Sequence, residues 1–151
     1  MLDTCVYIDQ VQDRTPPAIE DLFNLRQVNH STVAIQELMH AVGALDPRHP
    51  GTTAATRQIG DLVKKMPRHR IFTPDADVLG RAAILSGVLC RTQGYAKDDK
   101  LRALQDSVLF LQAHKLGCTV LTCNVGDFHY FLQLFPGARV IFYRQQNPTE
   151  G

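Results

Sequence analysis

Four carboxylates are placed where they could do chemistry together. Asp3 follows a short apolar start, and Asp127 lies in the run LTCNVGDF, one turn past a β-rich stretch. Glu37 and Asp106 fall inside two segments of helical period. Converging carboxylates make a hard, all-oxygen site, which selects Mg²⁺ or Mn²⁺ over Zn²⁺. Two like charges about 4 Å apart repel by ~4 kcal/mol at an effective dielectric of about 20, so the cluster needs a cation to stay ionised. That cation would bind phosphate oxygens and lower the pKa of a water for in-line attack on phosphorus. Phosphodiester hydrolysis of this kind requires no serine, cysteine or lysine nucleophile. Against it stands the ordinary behaviour of a single acid on a helix, which is solvated or ion-paired, and 16 lysines and arginines are present as partners. The expectation rests on the four acids converging, not on any one of them.

The elements that must position these acids follow from period and punctuation. Leu38, Val42 and Leu45 recur at +4 and +3, which predicts a helix starting at Ser31 or Thr32, where a hydroxyl can accept an orphan N–H. Glu37 shares a face of that helix with Ala34, Ala41 and Ala44, small residues that let another segment or an ion come close. Residues 46–53, DPRHPGTT, read as a loop. Arg70-Ile71-Phe72 reads as a short strand. Thr73-Pro74-Asp75 then opens a helix to about Leu89, with Thr73 as cap and proline in the first helical position. Asp98 or Asp99 caps the next helix, which ends before Gly117. Leu101, Leu104, Val108 and Leu111 form one stripe on it. Asp106 falls on a second face with Ala103, Phe110, Ala113 and Gly117, and Gln105 and Gln112 take the wet side. A helix apolar on two sides is buried, so Asp106 is expected to point into a packed region or cleft. CTVLT (118–122) reads as a buried strand, Gly126 as part of the turn after it, and ARVIFYR (138–144) as a last strand. Strands alternating with helices predict an α/β domain with a mostly parallel sheet, whose sites collect at the carboxyl ends of strands.

Bulk properties bound the function classes. A chain of 151 residues suits one domain, and 44% apolar with 21% charged residues describes an ordered globule. The formal charge of +1 excludes a strongly basic nucleic-acid coat protein. Setting the four acids aside leaves 16 basic residues against 11 acidic ones, which allows a metal-neutralised cleft with a positive rim. The run KKMPRHR (64–70) concentrates five potential cations. It reads as a helix end, and as a phosphate contact only if it lies beside the acids. No apolar run approaches the roughly 18 residues of a membrane span. The opening MLDTCVYIDQ has no basic n-region. Cys5, Cys90, Cys118 and Cys123 lack CxxC spacing and are expected to be small buried residues of a cytoplasmic protein.

Taken together these residues resemble the PIN-domain ribonucleases, in particular the VapC toxins of bacterial toxin–antitoxin pairs. LDTCVYID looks like the family's first motif and maps to Asp3 and Thr4. STVAIQELMHAVG looks like the second, with Glu37 early in its helix. LQDSVLFLQAHKLGCTVLTCNVGDF resembles the third and fourth motifs run together, and carries over Asp106, Thr122, Asn124, Asp127 and Phe128. The resemblance extends from Asp3 to about Tyr143, and the last block is its specific part. It implies a single-domain α/β/α sandwich with a mostly parallel central sheet over residues 1–144, followed by a polar, frayed tail at 145–151. It also implies Mg²⁺- or Mn²⁺-dependent cleavage of RNA, with Asp3, Asp106 and Asp127 leading in metal binding and Glu37 completing the acidic pocket. Thr4, Thr122 and Asn124 would be the substrate-side residues. Thr122 and Asn124 would orient either the acids or the scissile phosphate; turn chemistry after a strand explains them equally well. A small antitoxin protein whose tail fills the groove, and a homodimer, are the implied partners.

The pattern departs from the family in two places. Only Met1 and Leu2 precede Asp3, where several apolar residues are usual, and Cys123 stands where an arginine is frequent. The short lead before Asp3 motivates a rival reading, a non-catalytic module that docks RNA or a protein through the same groove. A phosphate-receiver-like regulatory domain is a third reading, disfavoured because no lysine follows Lys115. Residues 91–100 and the 46–53 loop would set substrate choice. His114 and His129 read as packing or surface groups. Asp75, Asp77, Asp98 and Asp99 read as caps or surface charges, with Asp9 or Asp99 held in reserve as a site acid. Phe128, Tyr130, Phe131 and Phe135 read as core or dimer contacts.

Overall fold

The computed structural model describes residues 1–95 and 99–146. Asp98, one of the two expected helix caps, and most of the expected polar tail (147–151) lie outside the described residues. The elements run α1 (Thr4–Val11), α2 (Pro17–Leu25), β1 (His30–Ser31), α3 (Thr32–Ala44), α4 (Thr52–Lys65), β2 (Ile71–Phe72), α5 (Ala76–Gln93), α6 (Asp99–Lys115), β3 (Thr119–Thr122), α7 (Val125–Leu134) and β4 (Arg139–Phe142). A single 3₁₀ turn, Arg68–Arg70, leads into β2.

Every strand pairing among the described residues is parallel, as the alternation of strands and helices predicts. The expected single central sheet is drawn as two pairs, however: β1 with β2, and β3 with β4. The chain's first residues join the second pair. Leu2 bridges Leu121, with Asp3 N–H donating to the Leu121 carbonyl at 3.0 Å and Leu121 N–H to the Met1 carbonyl at 3.0 Å. Two residues of apolar lead therefore suffice to seat Asp3 at the carboxyl end of this ladder. Side chains alternate along a strand, and β3 shows what that does. Val120 enters a core with Val78, Leu89, Phe110, Phe128 and Phe131, whereas Leu121 enters another with Val6, Tyr7, Leu38 and Tyr143. A strand covered on both faces loses its alternation of polar and apolar residues, which is why TVLT reads as a short continuous run.

Local chemistry explains the helix ends. Ser31 Oγ accepts from Val33 N–H at 3.1 Å and starts α3 where a hydroxyl cap is expected. At α5 the cap is Asp75 rather than Thr73: Asp75 Oδ1 accepts from Val78 N–H at 3.0 Å. A carboxylate both bonds the free N–H and suits the positive end of the helix dipole, so it outcompetes the hydroxyl two residues earlier. The helix continues past Leu89 to Gln93 and stops at Gly94, whose φ of 63° is left-handed. Gly117, at φ 65°, makes the matching turn from α6 into β3. Two helices, α1 and α2, have no counterpart in the sequence reading, and of α4 only the end is read. Thr52 and Thr53 belong to α4, so the loop between α3 and α4 is shorter than DPRHPGTT. Lys64 and Lys65 close α4, the helix end that KKMPRHR suggests.

Five further expectations are corrected. Gly126 lies inside α7, not in a turn. Gln112 is 2% exposed rather than wet: its Oε1 accepts from Ser31 Oγ at 2.6 Å, tying α6 to the cap of α3. Leu101, placed on the apolar stripe of α6, is 58% exposed because it sits in the first turn, ahead of the buried stretch from Ala103 to Ala113. The four cysteines are half-buried free thiols, not core residues. Gln145 and Gln146 are fastened rather than frayed, Gln146 N–H donating to the Arg14 carbonyl at 3.0 Å. No described helix is long and apolar enough to cross a membrane.

Candidate active site

Asp3 ends the short strand and caps α1, its Oδ1 accepting from Thr4 N–H at 2.7 Å. That single backbone requirement fixes the carboxylate over the carboxyl end of β3. Its other oxygen accepts from Thr122 Oγ at 2.6 Å and from Cys5 Sγ at 3.2 Å. Thr122 Oγ in turn accepts from Asn124 N–H at 2.9 Å, and Asn124 Nδ2 donates to Asp106 Oδ2 at 2.9 Å. On the opposite side, the Thr4 hydroxyl donates to Glu37 Oε2. A continuous relay thus runs Glu37–Thr4–Asp3–Thr122–Asn124–Asp106. Thr122 and Asn124 spend their side chains on the acids.

Asp3, Glu37 and Asp106 line one cavity of about 740 Å³, together with Thr4 and Asn124. Asp3 and Asp106 are each 4% exposed. Burial raises all three carboxyls above their ordinary range. For Asp3 the bonds from Thr122, Cys5 and Thr4 work against that rise, and for Glu37 the Thr4 bond does. Asp106 has the least relief: burial first, then the charges of Asp3, Glu37 and Asp127, push it up to about 9. The cavity therefore concentrates negative charge that its own hydrogen bonds do not neutralise.

Asp127 stands apart. It lies in the first turn of α7, does not line the cavity, and accepts the hydroxyl of Tyr95. Its charge still reaches Asp106. The reserve acid Asp9 is structural: wholly buried, it accepts from Tyr143 Oη at 2.6 Å and Gln145 Nε2 at 2.9 Å, and pairs with Arg14 at 2.9 Å. Asp99 is exposed in the first turn of α6, while His114 and His129 are exposed on α6 and α7. Phe128 and Phe131 are fully buried against Phe110, as core aromatics.

The sequence reading misses the cations. Arg102 and Arg144 line the acid cavity, whereas the basic run 64–70 does not touch it. Arg102 precedes Asp106 by four residues, one helical turn, a spacing that would have placed it on the acid's face. Cys5 and Tyr143 also line the wall. Nothing local marks either, because both reach the site through pairings across the sheet.

The donor set suits a hard divalent ion. Among the described residues no three acid, imidazole or thiol side chains stand close enough to form a ready-made cage. Mg²⁺ does not require one, since it keeps several waters and is held by one or two carboxylates. Asp3 and Asp106, buried, mutually repelling and bonded only through neutral partners, supply such a pair.

No family model matches the sequence, and no curated protein matches it. Solved structures do match. The chain is similar to a chain in the crystal structure of VapBC2 from Rickettsia felis bound to a DNA fragment from their promoter, at 16% identity and a TM-score of 0.62, covering 95% of this chain and 98% of that one. It is similar to one in the structure of FitAB bound to an IR36 DNA fragment, at 19% identity and a TM-score of 0.63, covering 93% and 92%. A third is in FitAcB from Neisseria gonorrhoeae, at 17% identity and a TM-score of 0.64, covering 94% and 95%. Nearly end to end, the chain has the fold of these solved chains.

Proposed function

We propose that this chain is a Mg²⁺- or Mn²⁺-dependent endoribonuclease, the toxin of a two-protein pair. The observation that carries the reading is the gathering of Asp3, Glu37 and Asp106, from chain positions over a hundred residues apart, into one cavity at the carboxyl ends of the strands. Asp3 and Asp106 would hold the ion, with Glu37 completing the acidic wall. Bound there, a divalent cation supplies charge neutralisation at the scissile phosphate and a more acidic water. The protein's own side chains do the rest. Thr122 and Asn124 hold the two carboxylates in fixed rotamers. The Thr4 hydroxyl holds Glu37 at the rim, where it can accept a proton from a water approaching phosphorus. Arg102 and Arg144 are placed to meet the phosphates flanking the cut. Asp127, bound to Tyr95, acts on Asp106 through its charge.

The similar structures are toxin–antitoxin assemblies, which supports a small antitoxin protein as partner; a homodimer is the working form we propose with it. RNA cleavage measured with Mg²⁺, with Mn²⁺ and with chelator, for wild type and Asp106→Asn, tests the enzyme. Cleavage in wild type with metal alone is expected; equal cleavage in all six combinations ends the reading. A second reading, a non-catalytic module docking RNA or a protein through this groove, is favoured by the position of Asp127 outside the cavity. It predicts metal-independent binding without cleavage.

A further inference from the structure

Parallel strands have two ends, and the amino ends here frame a second cavity, of about 580 Å³. Arg26, Arg70 and Arg139 line it, and no carboxylate does. Arg26 follows the end of α2, Arg70 precedes β2, and Arg139 opens β4. In a chain with 15 acids for its 16 basic residues, a cavity lined by three arginines and no carboxylate is unexpected. Among the described residues none of the three forms an ion pair. Two are nonetheless held in place. Arg70 Nη1 donates to Asn29 Oδ1 at 3.3 Å, and Arg139 Nη2 donates to the Gly117 carbonyl. Both acceptors are neutral, so they orient the guanidinium groups without cancelling their charge. The rest of the wall includes Leu22, Phe23 and Val28.

We propose that this cavity binds a phosphate monoester carried on a flat apolar body, the chemical class of a nucleoside monophosphate. The volume lies within the roughly 300–1,000 Å³ of small-molecule sites and is far more than a phosphate alone would fill. A monoester carries about −1.5 to −2 charges near neutral pH, which matches three cations better than a single carboxylate does. Guanidinium forks bind phosphate oxygens in pairs. The ester's body then lies against Phe23 and Leu22. This site is independent of the nuclease reading, because it shares no residue with the acid cavity.

Calorimetric titration with AMP, in chelator and at fixed ionic strength, tests the proposal. AMP is expected to saturate one site per chain, with adenosine at least tenfold weaker. Arg70→Gln and Arg139→Gln are each expected to weaken AMP at least tenfold, whereas Arg81→Gln, an exposed arginine on α5, leaves it unchanged. Should Arg70→Gln fail to fold, Arg26→Gln removes an exposed member of the same trio. A 5′-phosphorylated oligoribonucleotide titrated alongside separates a free nucleotide from a strand end as the source of the phosphate, and saturation by either supports the site. The proposal is overturned if AMP and adenosine bind alike, if neither phosphate probe saturates, or if Arg81→Gln weakens AMP as much as the cavity variants do.

Discussion

At the scale of the residue, Asp106 is held where its protonated form is favoured. Its folded-state pKa, up to about 9, lies above that of an unfolded carboxyl. The folded state therefore keeps a proton that the unfolded chain has already released. Stability is highest below the unfolded value and falls as pH rises through the window that ends near 9. Asp3 and Glu37 shift in the same direction. Melting of metal-free protein should fall from about pH 4 to about pH 9, and Asp106→Asn should flatten that slope. An unchanged slope would mean that Asp106 is not the group responsible. A divalent ion favours the ionised carboxylates, so it should stabilise more at alkaline pH. At a hundredfold its Kd it adds about 2.7 kcal/mol, a rise of roughly 5–10 °C. Thermal melts with and without Mg²⁺ at two pH values read this directly. Asp106 itself was legible in the sequence, because its neighbours Ala103 and Ala113 mark a buried face. Arg102 was legible too, one helical turn before Asp106, though the reading passed over it; Arg144 was not, since it lies beyond β4, far along the chain from the acids it joins.

At the scale of the element, the joint between α3 and α6 rests on one hydroxyl. Ser31 caps α3 and donates to Gln112, whose Nε2 has no partner of its own. Ser31→Ala removes the cap and leaves the Gln112 amide unsatisfied at both ends, a loss of about 2 kcal/mol. Urea unfolding should show a lower midpoint at unchanged m. A smaller loss would mean that Gln112 finds water. The same pair shows where periodicity misleads. Gln112 sits on the side of α6 that polar residues usually give to solvent, yet α3 covers it. The long elements α3, α5 and α6 were readable from their capping residues and leucine or valine stripes. The helices missed in whole or in part are not weaker in period: α2 carries Ile19, Leu22 and Phe23, and α4 carries Ile59, Leu62 and Val63, at helical spacing against the second core. Strand pairing across the sheet, which seats Asp3 on Leu121, leaves no trace in a local window.

At the scale of the whole molecule, the sheet ends carry opposite charge: acids over the carboxyl ends, arginines under the amino ends. Asp9 ties the segment after β4 to α1 through Tyr143, Gln145 and Arg14. Asp9→Ala strands those three partners and should cost about 3 kcal/mol, read by chemical unfolding. It should also weaken Mg²⁺ affinity, because Tyr143, Arg144 and Gln145 form part of the acid cavity's wall. Affinity equal to wild type would show that the tie serves stability alone. That wall has a consequence in time. Residues 143–145 are synthesised after every other part of the cavity, so a chain still growing on a ribosome holds its acids in an open, unfinished trough. The proposed site would therefore be complete only once translation had passed its final wall.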